Sequence, residues 1–298
     1  MKAKTGKGNW SLKTTKKLGL PFVFLLCIFF FLAGFFGSTL FFQSQDDVFG
    51  VRSRPRPRLR TSLFESAEYD LLPSGETGDE SITSIPFQVL SWKPRALYFP
   101  NFATAEQCES IIAMAKPGLK PSTLALRKGE TAENTKGIRT SSGMFISAAE
   151  DKTGILDVIE EKIARATMLP RTHGEAFNVL HYEVGQRYNS HYDAFNPSEY
   201  GPQKSQRVAS FLLYLSDVVA GGESMFPIEN GLNMDGSYNF QDCIGLKVKP
   251  RQGDGLLFYS LFPNGTIDPT SLHGSCPVIK GEKWVATKWL RDQDQDDD

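Results

Sequence analysis

The distribution of apolar and polar residues divides the 298-residue chain into five regions. An uncharged run dominated by Phe and Leu occupies 18–42, and a polar, proline-containing stretch occupies 43–85. Periodic apolar positions then fill 86–291, and acidic residues dominate 292–298. The pattern predicts a short N-terminal tail (1–17), an apolar anchor, a spacer, one globular domain and an acidic tail, in that order.

Apolar residues at helical spacing predict two helices in the globular region, over 105–115 and 153–167. Thr104 precedes the first helix and Gln107 follows three residues later, which is the pattern of a capping box. After Pro170 the apolar residues fall into short runs bounded by turn residues. We predict strands over 96–99, 177–182, 208–215, 246–248, 255–260 and 284–289. Helices followed by short strands favour an α+β fold, with helices packed on an antiparallel sandwich or jelly roll.

The predicted anchor is long enough to cross a bilayer, because its 25 residues would span roughly 37 Å as a helix against about 30 Å of hydrocarbon. Six lysines and no acidic residue precede it, so the positive-inside rule predicts a single-pass signal-anchor with a lumenal C-terminal domain. A cleaved signal peptide is the main alternative, although 37–39 is a poor cleavage site because bulky apolar residues follow it. A buried core helix is disfavoured since the run has no polar face. Arginines within 52–60 oppose the predicted orientation.

The spacer combines Arg-Pro alternation with scattered polar residues, which is typical of a solvated stalk. An alternative is that its arginines form a processing site for a lumenal protease. The acidic tail is expected to be solvated. A formal net charge of −1 gives no reason to expect a nucleic-acid partner, and contents of 40% apolar and 22% charged residues are typical of a globular domain.

Four cysteines and one glycosylation sequence bear on the compartment. Cys27 lies in the predicted anchor, which leaves Cys108, Cys243 and Cys276 in an oxidising lumen. Three cysteines allow at most one internal pair. Cys243 with Cys276 is the pair to test first, while Cys108 falls in the first predicted helix and is expected to pack as a small hydrophobic residue. The sequence leaves the pairing open. Asn264 begins an Asn-Gly-Thr sequence, which predicts an N-glycan on the lumenal side.

The candidate chemistry is concentrated in four residues of the globular region. His191 and Asp193 are two positions apart, so in a strand they would project from one face. His273 follows Asp193 by 80 residues, and Lys283 follows His273 by ten. Two imidazoles and one carboxylate on one side of a ferrous ion leave its other positions open to reactants. A lysine at this distance would supply a cation for an anionic co-substrate. A His-x-Asp pair alone is weak evidence for a metal site.

Three segments identify a family when they are taken together. Residues 182–193 end in Ser-His-Tyr-Asp, residues 215–227 contain Gly-Gly-Glu-Ser, and residues 273–290 run from His-Gly-Ser-Cys-Pro through Gly-Glu-Lys-Trp to Lys-Trp-Leu. In this order they resemble the metal-binding strand, the central hairpin and the closing segment of prolyl 4-hydroxylases. Two upstream stretches, 90–99 and 138–145, continue the match. The resemblance covers the globular region and is greatest to the plant branch of the family.

The resemblance implies a double-stranded β-helix, or jelly roll, supported by N-terminal helices. It implies that His191, Asp193 and His273 bind Fe(II), and that Lys283 pairs with the far carboxylate of 2-oxoglutarate. Dioxygen and L-ascorbate complete the implied set of cofactors. The implied reaction is 4-hydroxylation of peptidyl proline in secretory proline-rich polypeptides. It is coupled to oxidative decarboxylation of 2-oxoglutarate to succinate and carbon dioxide.

Five further residues are assigned by the same resemblance. Tyr182 and Ser224 would line the co-substrate pocket, and Ser224 stands where the family usually has threonine. Tyr188, Arg207 and Trp289 would contact the peptide, for which aromatic side chains suit a proline-rich helix. For the two tyrosines, Arg207 and Trp289, a structural role in the fold remains an alternative.

Two other functions remain open at this level. A related 2-oxoglutarate oxygenase could act on a residue other than proline, because the iron ligands determine the oxidant and leave the target open. A catalytically silent jelly roll could bind peptide or glycan, although binding alone requires neither the metal ligands nor Lys283. The expected location is the membrane of the endoplasmic reticulum or the Golgi, with a type II orientation.

Overall fold

The structure is a computed structural model that describes residues 28–32, 84–235 and 238–295. The chain divides into two units, Met1–Pro73 and Ser74–Asp298, and the fold below is that of the second. The predicted tail, most of the predicted anchor and nearly all of the spacer lie outside the described residues, and 28–32 are helical. Within the part of the chain that is described, no helix has the length and apolar character needed to cross a membrane.

Fourteen strands and three α-helices make up the described part of the second unit. The strands are β1 (Gln88–Trp92), β2 (Arg95–Phe99), β3 (Lys120–Pro121), β4 (Ser142–Ile146), β5 (Phe177–Tyr182), β6 (Tyr188–His191), β7 (Arg207–Tyr214), β8 (Ala220–Gly221), β9 (Ser224–Phe226), β10 (Leu246–Val248), β11 (Gly255–Tyr259), β12 (His273–Ser275), β13 (Val278–Lys280) and β14 (Lys283–Arg291). The helices are α1 (Ala105–Ala115), α2 (Ile155–Thr167) and α3 (Pro197–Tyr200).

The strands form a large sheet, a small sheet and a two-stranded ribbon. The large sheet has the order β1-β2-β11-β7-β14-β5-β4-β3, the small sheet has the order β10-β9-β12-β6, and the ribbon pairs β13 with β8. All of these pairings are antiparallel. Neighbouring strands are often distant in sequence, as the crossing connections of a jelly roll require. The predicted α+β jelly roll is confirmed for this unit.

The central strands of the large sheet pack against a different core on each face. In β14, Trp284 and Ala286 belong to a core shared with α1 and α2, whereas Val285 belongs to a core shared with Phe226 of β9 and Val248 of β10. We call these the helix face and the inner face of the large sheet. Successive side chains of a strand project to opposite faces. A polar residue at an inner-face position is therefore directed toward the small sheet.

Most predicted element boundaries agree with the structure within two residues. The helix over 105–115 and its capping box are confirmed, with reciprocal bonds between Thr104 and Gln107. The second helix begins at Ile155 instead of residue 153, because the Asp151 carboxylate accepts hydrogen bonds from the backbone amides of Thr153 and Leu156 and holds the preceding turn open.

The prediction that His191 and Asp193 share a strand is wrong. β6 ends at His191, which pairs with His273 of β12, and Asp193 lies in the bend that follows. The chain leaves the small sheet at this point, and the Asp193 carboxylate reaches the Ser210 hydroxyl on the inner face of β7. A bend, and not the period of a strand, brings the carboxylate toward the two imidazoles.

Candidate active site

Strand pairing and the bend after β6 bring three potential metal ligands together. The His191 Nε2 atom lies 3.5 Å from Asp193 Oδ1, and His273 Nε2 lies 3.5 Å from Asp193 Oδ2. One ligand atom from each residue lies within 4.8 Å of the other two. Asp193 and His273 are buried and His191 is half-buried. The three residues are therefore spaced to share one ion.

Hydrogen bonds orient both imidazoles for metal binding. Nδ1 of His191 lies 2.9 Å from the Asn189 carbonyl oxygen, and Nδ1 of His273 lies 3.0 Å from the Ser271 carbonyl oxygen. Because a carbonyl can only accept, each Nδ1 carries the proton and donates it. The lone pair of each ring is then on Nε2, the atom that faces Asp193. Such outer partners fix the tautomer and orientation of metal-bound histidines.

The protonation states also suit a metal. Burial lowers the pKa of His273 to about 4, so its ring is neutral at physiological pH. Burial alone would raise the pKa of Asp193, but the positive charge of the protonated His273 and His191 rings and of Arg207 holds it well below its ordinary range, so the carboxyl has already ionised when the rings lose their protons. The Ser210 hydroxyl donates to Asp193 Oδ2 at 2.6 Å. Two imidazoles and one carboxylate on one side of a site are the donors used by non-heme Fe(II) oxygenases, and these residues fit that ion.

Lys283 is buried and forms no ion pair with a carboxylate in the described part of the chain. Its side chain is on the inner face at the start of β14, where Nζ donates to Ser275 Oγ at 2.9 Å. Nζ also lies 5.3 Å from the centroid of the Tyr182 ring. Burial lowers the pKa of Lys283 to about 7, against a weaker opposing effect of Glu223. No carboxylate within the described residues forms an ion pair with Nζ, and a buried charge in this state favours an anionic ligand.

A cavity of about 40 Å³ connects Lys283 to the three potential ligands. Tyr182 and Ser224, the two residues predicted to line a co-substrate pocket, both line it. The Ser224 hydroxyl accepts a hydrogen bond of 2.9 Å from the Tyr214 hydroxyl, which fixes its orientation. Val285, Thr287 and Trp289 complete one wall from the inner face of β14. The cavity therefore has a cationic end at Lys283 and a metal-binding end.

The cavity opens into a cleft of about 1090 Å³, and Tyr188, His191, Asp193 and Trp289 line both. The Tyr188 ring stacks on His191 with 3.6 Å between centroids. The guanidinium carbon of Arg139 lies 4.7 Å from the centroid of the Tyr188 ring. Tyr188 is therefore placed at the junction of the two spaces, beside a potential metal ligand.

Arg207 and Trp289 line the cleft and also form part of the packed fold. The guanidinium carbon of Arg207 lies 3.7 Å from the centroid of the Trp289 ring. Two nitrogens of Arg207 donate to Glu175 at 2.7 Å each, and Arg291 Nε donates to Glu175 at 2.6 Å. Burial alone would raise the pKa of Glu175, but Arg207 and Arg291 hold it below its usual value. Trp289 Nε1 is buried and has no hydrogen-bond partner in the described part of the chain.

Several residues of the site were not singled out in the sequence. Ser210 interrupts an apolar strand at an inner-face position, and Ser275 follows His273 by two residues, so alternation could have flagged both. Glu175 carried no local signal, because its two arginine partners are distant in sequence. His181 is not part of the site: it bonds Glu282 at 2.7 Å and stacks on Trp284.

The cysteines and the glycosylation sequence lie outside the ligand set. Cys243 and Cys276 form a disulfide with 5.4 Å between their Cα atoms, so the pair favoured by the sequence is confirmed. Cys108 is buried and free, as expected. Asn264 is exposed, and its side-chain oxygen accepts bonds from the amide and hydroxyl of Thr266.

Comparisons with known proteins agree with this geometry. Residues 177–291 match the model of the 2OG-Fe(II) oxygenase superfamily. The chain is 68% identical over 285 residues to probable prolyl 4-hydroxylase 9 of Arabidopsis thaliana, covering 95% of this chain and 96% of that protein. It is 57% identical over 282 residues to prolyl 4-hydroxylase 13 of the same plant, covering 94% and 97%.

Among solved structures, a viral collagen prolyl hydroxylase from Paramecium Bursaria Chlorella virus-1 in complex with 2OG aligns with a TM-score of 0.49 and 24% identity. The alignment covers 66% of this chain and 95% of that one. The family is established by the plant relatives, whose length the chain matches almost completely. The chain belongs to the plant prolyl 4-hydroxylases of the 2OG-Fe(II) oxygenase superfamily.

Proposed function

We propose that the protein hydroxylates the fourth carbon of prolyl residues in proline-rich polypeptides, with Fe(II), 2-oxoglutarate and dioxygen. One observation carries the proposal. Three ligand atoms within 4.8 Å of one another line the same small cavity as a buried lysine that no described carboxylate pairs with. A binding module requires neither feature, whereas an oxygenase that uses a dicarboxylate requires both.

His191, Asp193 and His273 would hold Fe(II), and Lys283 would bind the far carboxylate of 2-oxoglutarate. When bound, the metal and co-substrate supply the oxidation of a C–H bond by dioxygen, with release of succinate and carbon dioxide. L-ascorbate is the proposed reductant that keeps the metal ferrous. Ser224 and Tyr182 shape the co-substrate end of the cavity.

The peptide is proposed to lie in the open cleft, against Tyr188, Arg207 and Trp289. A proline-rich chain in its left-handed helix presents flat, rigid rings that pack well on aromatic side chains. Glu175 holds Arg207 over the Trp289 ring, so the cleft wall is preorganised. Close packing at this wall would exclude water from the reacting centre.

Succinate release and product analysis test the proposal against its alternatives. The protein is supplied with Fe(II), 2-oxoglutarate and ascorbate, with and without a polyproline peptide, and the peptide is analysed for 4-hydroxyproline. Succinate release coupled to 4-hydroxyproline supports the proposal. Release stimulated only by peptides lacking proline indicates an oxygenase with another target, and no release under any condition indicates a silent binding module.

We also propose that 18–42 anchors the protein in the endoplasmic reticulum or Golgi membrane, with the catalytic domain lumenal and Asn264 glycosylated. The six N-terminal lysines and the length of the apolar run support this orientation. A disulfide between Cys243 and Cys276 suits an oxidising compartment. Protease protection of the domain in intact microsomes, and a glycosidase-dependent mobility shift that Asn264→Gln removes, are the expected results. A domain digested in intact microsomes would contradict the orientation.

A further inference from the structure

The connection between β9 and β10 contacts both strands that carry the histidine ligands. It spans residues 227–245, of which all but 236 and 237 are described. The backbone amide of Ser190 donates to the Phe240 carbonyl at 3.1 Å, and the hydroxyls of Ser190 and Tyr238 are 2.6 Å apart. Ser190 precedes His191 in β6. The 238–240 stretch is therefore bonded directly to the first ligand strand.

A disulfide attaches the same connection to the second ligand strand. Cys243 is half-buried and bonded to Cys276, which directly follows β12 and stands three residues after His273. Two residues after Cys243, Gly245 has φ +81°, and a side chain there would collide with the Phe226 carbonyl oxygen. The disulfide at Cys243 and the close backbone contact at Gly245 together constrain the path of the chain into β10.

Phe240 belongs to the first attachment, stands three residues before Cys243 and lines the open cleft. Its side chain is 54% exposed, and the Tyr238 ring lies 5.5 Å away between centroids. An exposed aromatic side chain that is braced by a neighbour can bury apolar surface against a ligand at little conformational cost. The hydrogen bond from the Ser190 amide holds the Phe240 backbone next to the strand that ends in His191, and Ser190, His191 and Phe240 all line the cleft.

We infer that the Cys243–Cys276 disulfide is a positioning element that holds Phe240 in the cleft wall, where it contacts a substrate residue flanking the target proline. This inference rests on the proposed function, because it assigns the peptide to the cleft. The disulfide acts through Phe240, so it controls the affinity for peptide and not the binding of 2-oxoglutarate. A dithiol reductant would donate two electrons and two protons, break the S–S bond to give two thiols, and become a cyclic disulfide.

The test measures binding of a fluorescein-labelled polyproline peptide to the full-length protein by anisotropy, with Fe(II) and 2-oxoglutarate present and oxygen excluded. Phe240→Ala is expected to raise the peptide Kd about tenfold, as removal of one central aromatic contact does. Cys243→Ser is expected to raise it to a similar extent. Leu232→Ala is the matched control, because Leu232 is an exposed apolar residue of the same connection that does not line the cleft. It should bind as the wild type does.

Chemical reduction of the Cys243–Cys276 disulfide provides a second test of the inference. Treatment of the wild type with dithiothreitol should raise the peptide Kd as far as Cys243→Ser does, once thiol titration shows that two further thiols have formed. The Cys243→Ser variant should not respond to the reductant. The Kd of 2-oxoglutarate, measured in parallel, should stay constant in every arm, whereas general damage to the fold would change both constants.

The outcomes separate this inference from the proposed function. If the wild type hydroxylates proline and Phe240→Ala or reduction leaves the peptide Kd unchanged, the inference is wrong and the function stands. If the peptide binds and Kd shifts as expected without any 4-hydroxyproline, the roles of Phe240 and the disulfide in peptide binding stand and the proposed reaction is wrong. A wild type that does not bind the peptide overturns both.

Discussion

The two faces of the large sheet place a buried lysine in different electrostatic environments. Lys283 and Lys288 belong to the same strand, β14, and both are almost fully buried. On the helix face, Lys288 forms an ion pair with Glu160 of α2 and lies 4.6 Å from the centroid of the Phe177 ring. On the inner face, Lys283 contacts the Ser275 hydroxyl and forms no ion pair with a described carboxylate. The fold supplies a counter-charge where a lysine stabilises packing and omits it where a ligand is expected.

The same division extends across the neighbouring strand. In β7, Phe211 and Leu213 pack with the helices, while Ser210 and Tyr214 point inward and bond Asp193 and Ser224. Because successive side chains of a strand project to opposite faces, residues that stabilise the fold and residues that face the candidate site alternate along β7. Changes on the helix face should alter the free energy of unfolding, and changes on the inner face should alter ligand binding.

Asp193→Ala is the most damaging inner-face change. Two imidazoles without the carboxylate lose the charged ligand, so iron content after desalting and peptide-coupled succinate release should both fall to background. Metal analysis and the succinate assay measure this. A variant that retains iron and turnover would show that the three residues do not form the metal site.

Lys283→Met should raise the 2-oxoglutarate Kd by about 30-fold or more, since removal of one member of a buried charge pair costs at least about 2 kcal/mol. Lys288→Met is the matched control from the other face. It should lower the free energy of unfolding by about 2 kcal/mol, because Arg171 is then the one described cation paired with Glu160, and leave the 2-oxoglutarate Kd unchanged. Equal effects of the two variants on co-substrate binding would contradict the comparison.

The pKa of Lys283 predicts how pH acts on the same step. Burial lowers this pKa to about 7, so the unliganded lysine loses its proton above that pH, whereas a bound carboxylate favours the charged form. Affinity for 2-oxoglutarate should therefore fall as pH rises above about 7, by at most about tenfold per unit, with proton uptake on binding. Calorimetry in buffers of different ionisation enthalpy detects the uptake, and Lys283→Met should abolish it.

The same shift has a consequence for stability without ligand. Between pH about 7 and about 10.4 the unfolded lysine carries more protons than the folded one, so its contribution to the free energy of unfolding rises with pH over that window. In Lys283→Met this contribution should be absent.

Ser210→Ala removes the hydrogen bond to Asp193 and leaves the three ligands in place. Metal affinity should fall by about 10- to 100-fold, as for other residues that orient a ligand. Competitive chelator titration measures the change. Thr287→Ala is the matched control, because it removes another inner-face hydroxyl from the same cavity without removing a bond to a metal ligand. An equal loss of metal affinity in both variants would show that the Ser210 hydrogen bond has no special role.

Glu175→Gln is the mildest of these changes. It weakens the carboxylate bonds that hold Arg207 on Trp289 at the cleft edge, so the peptide KM should rise by less than about tenfold while the 2-oxoglutarate KM stays constant. Steady-state kinetics with each reactant varied separately measures the split. A change confined to the 2-oxoglutarate KM would place Glu175 with the cavity instead of the cleft.

Sequence patterns were sufficient wherever neighbouring residues determine the outcome. The capping box at Thr104, the helix over 105–115 and the strands over 177–182 and 246–248 follow from propensity and periodicity within a few residues. The residue types of the proposed metal site, and its separation from Lys283 in the sequence, could also be predicted, because the family motif keeps them in order.

Only the tertiary structure decided which distant groups meet. It moved Asp193 off its expected strand, gave it Ser210 as a partner, joined Cys243 to Cys276, and placed no described carboxylate in an ion pair with Lys283. These contacts depend on strand register and on the path of connections between the sheets. Local periodicity encodes the face on which a side chain lies, but it does not encode what the opposite sheet places there.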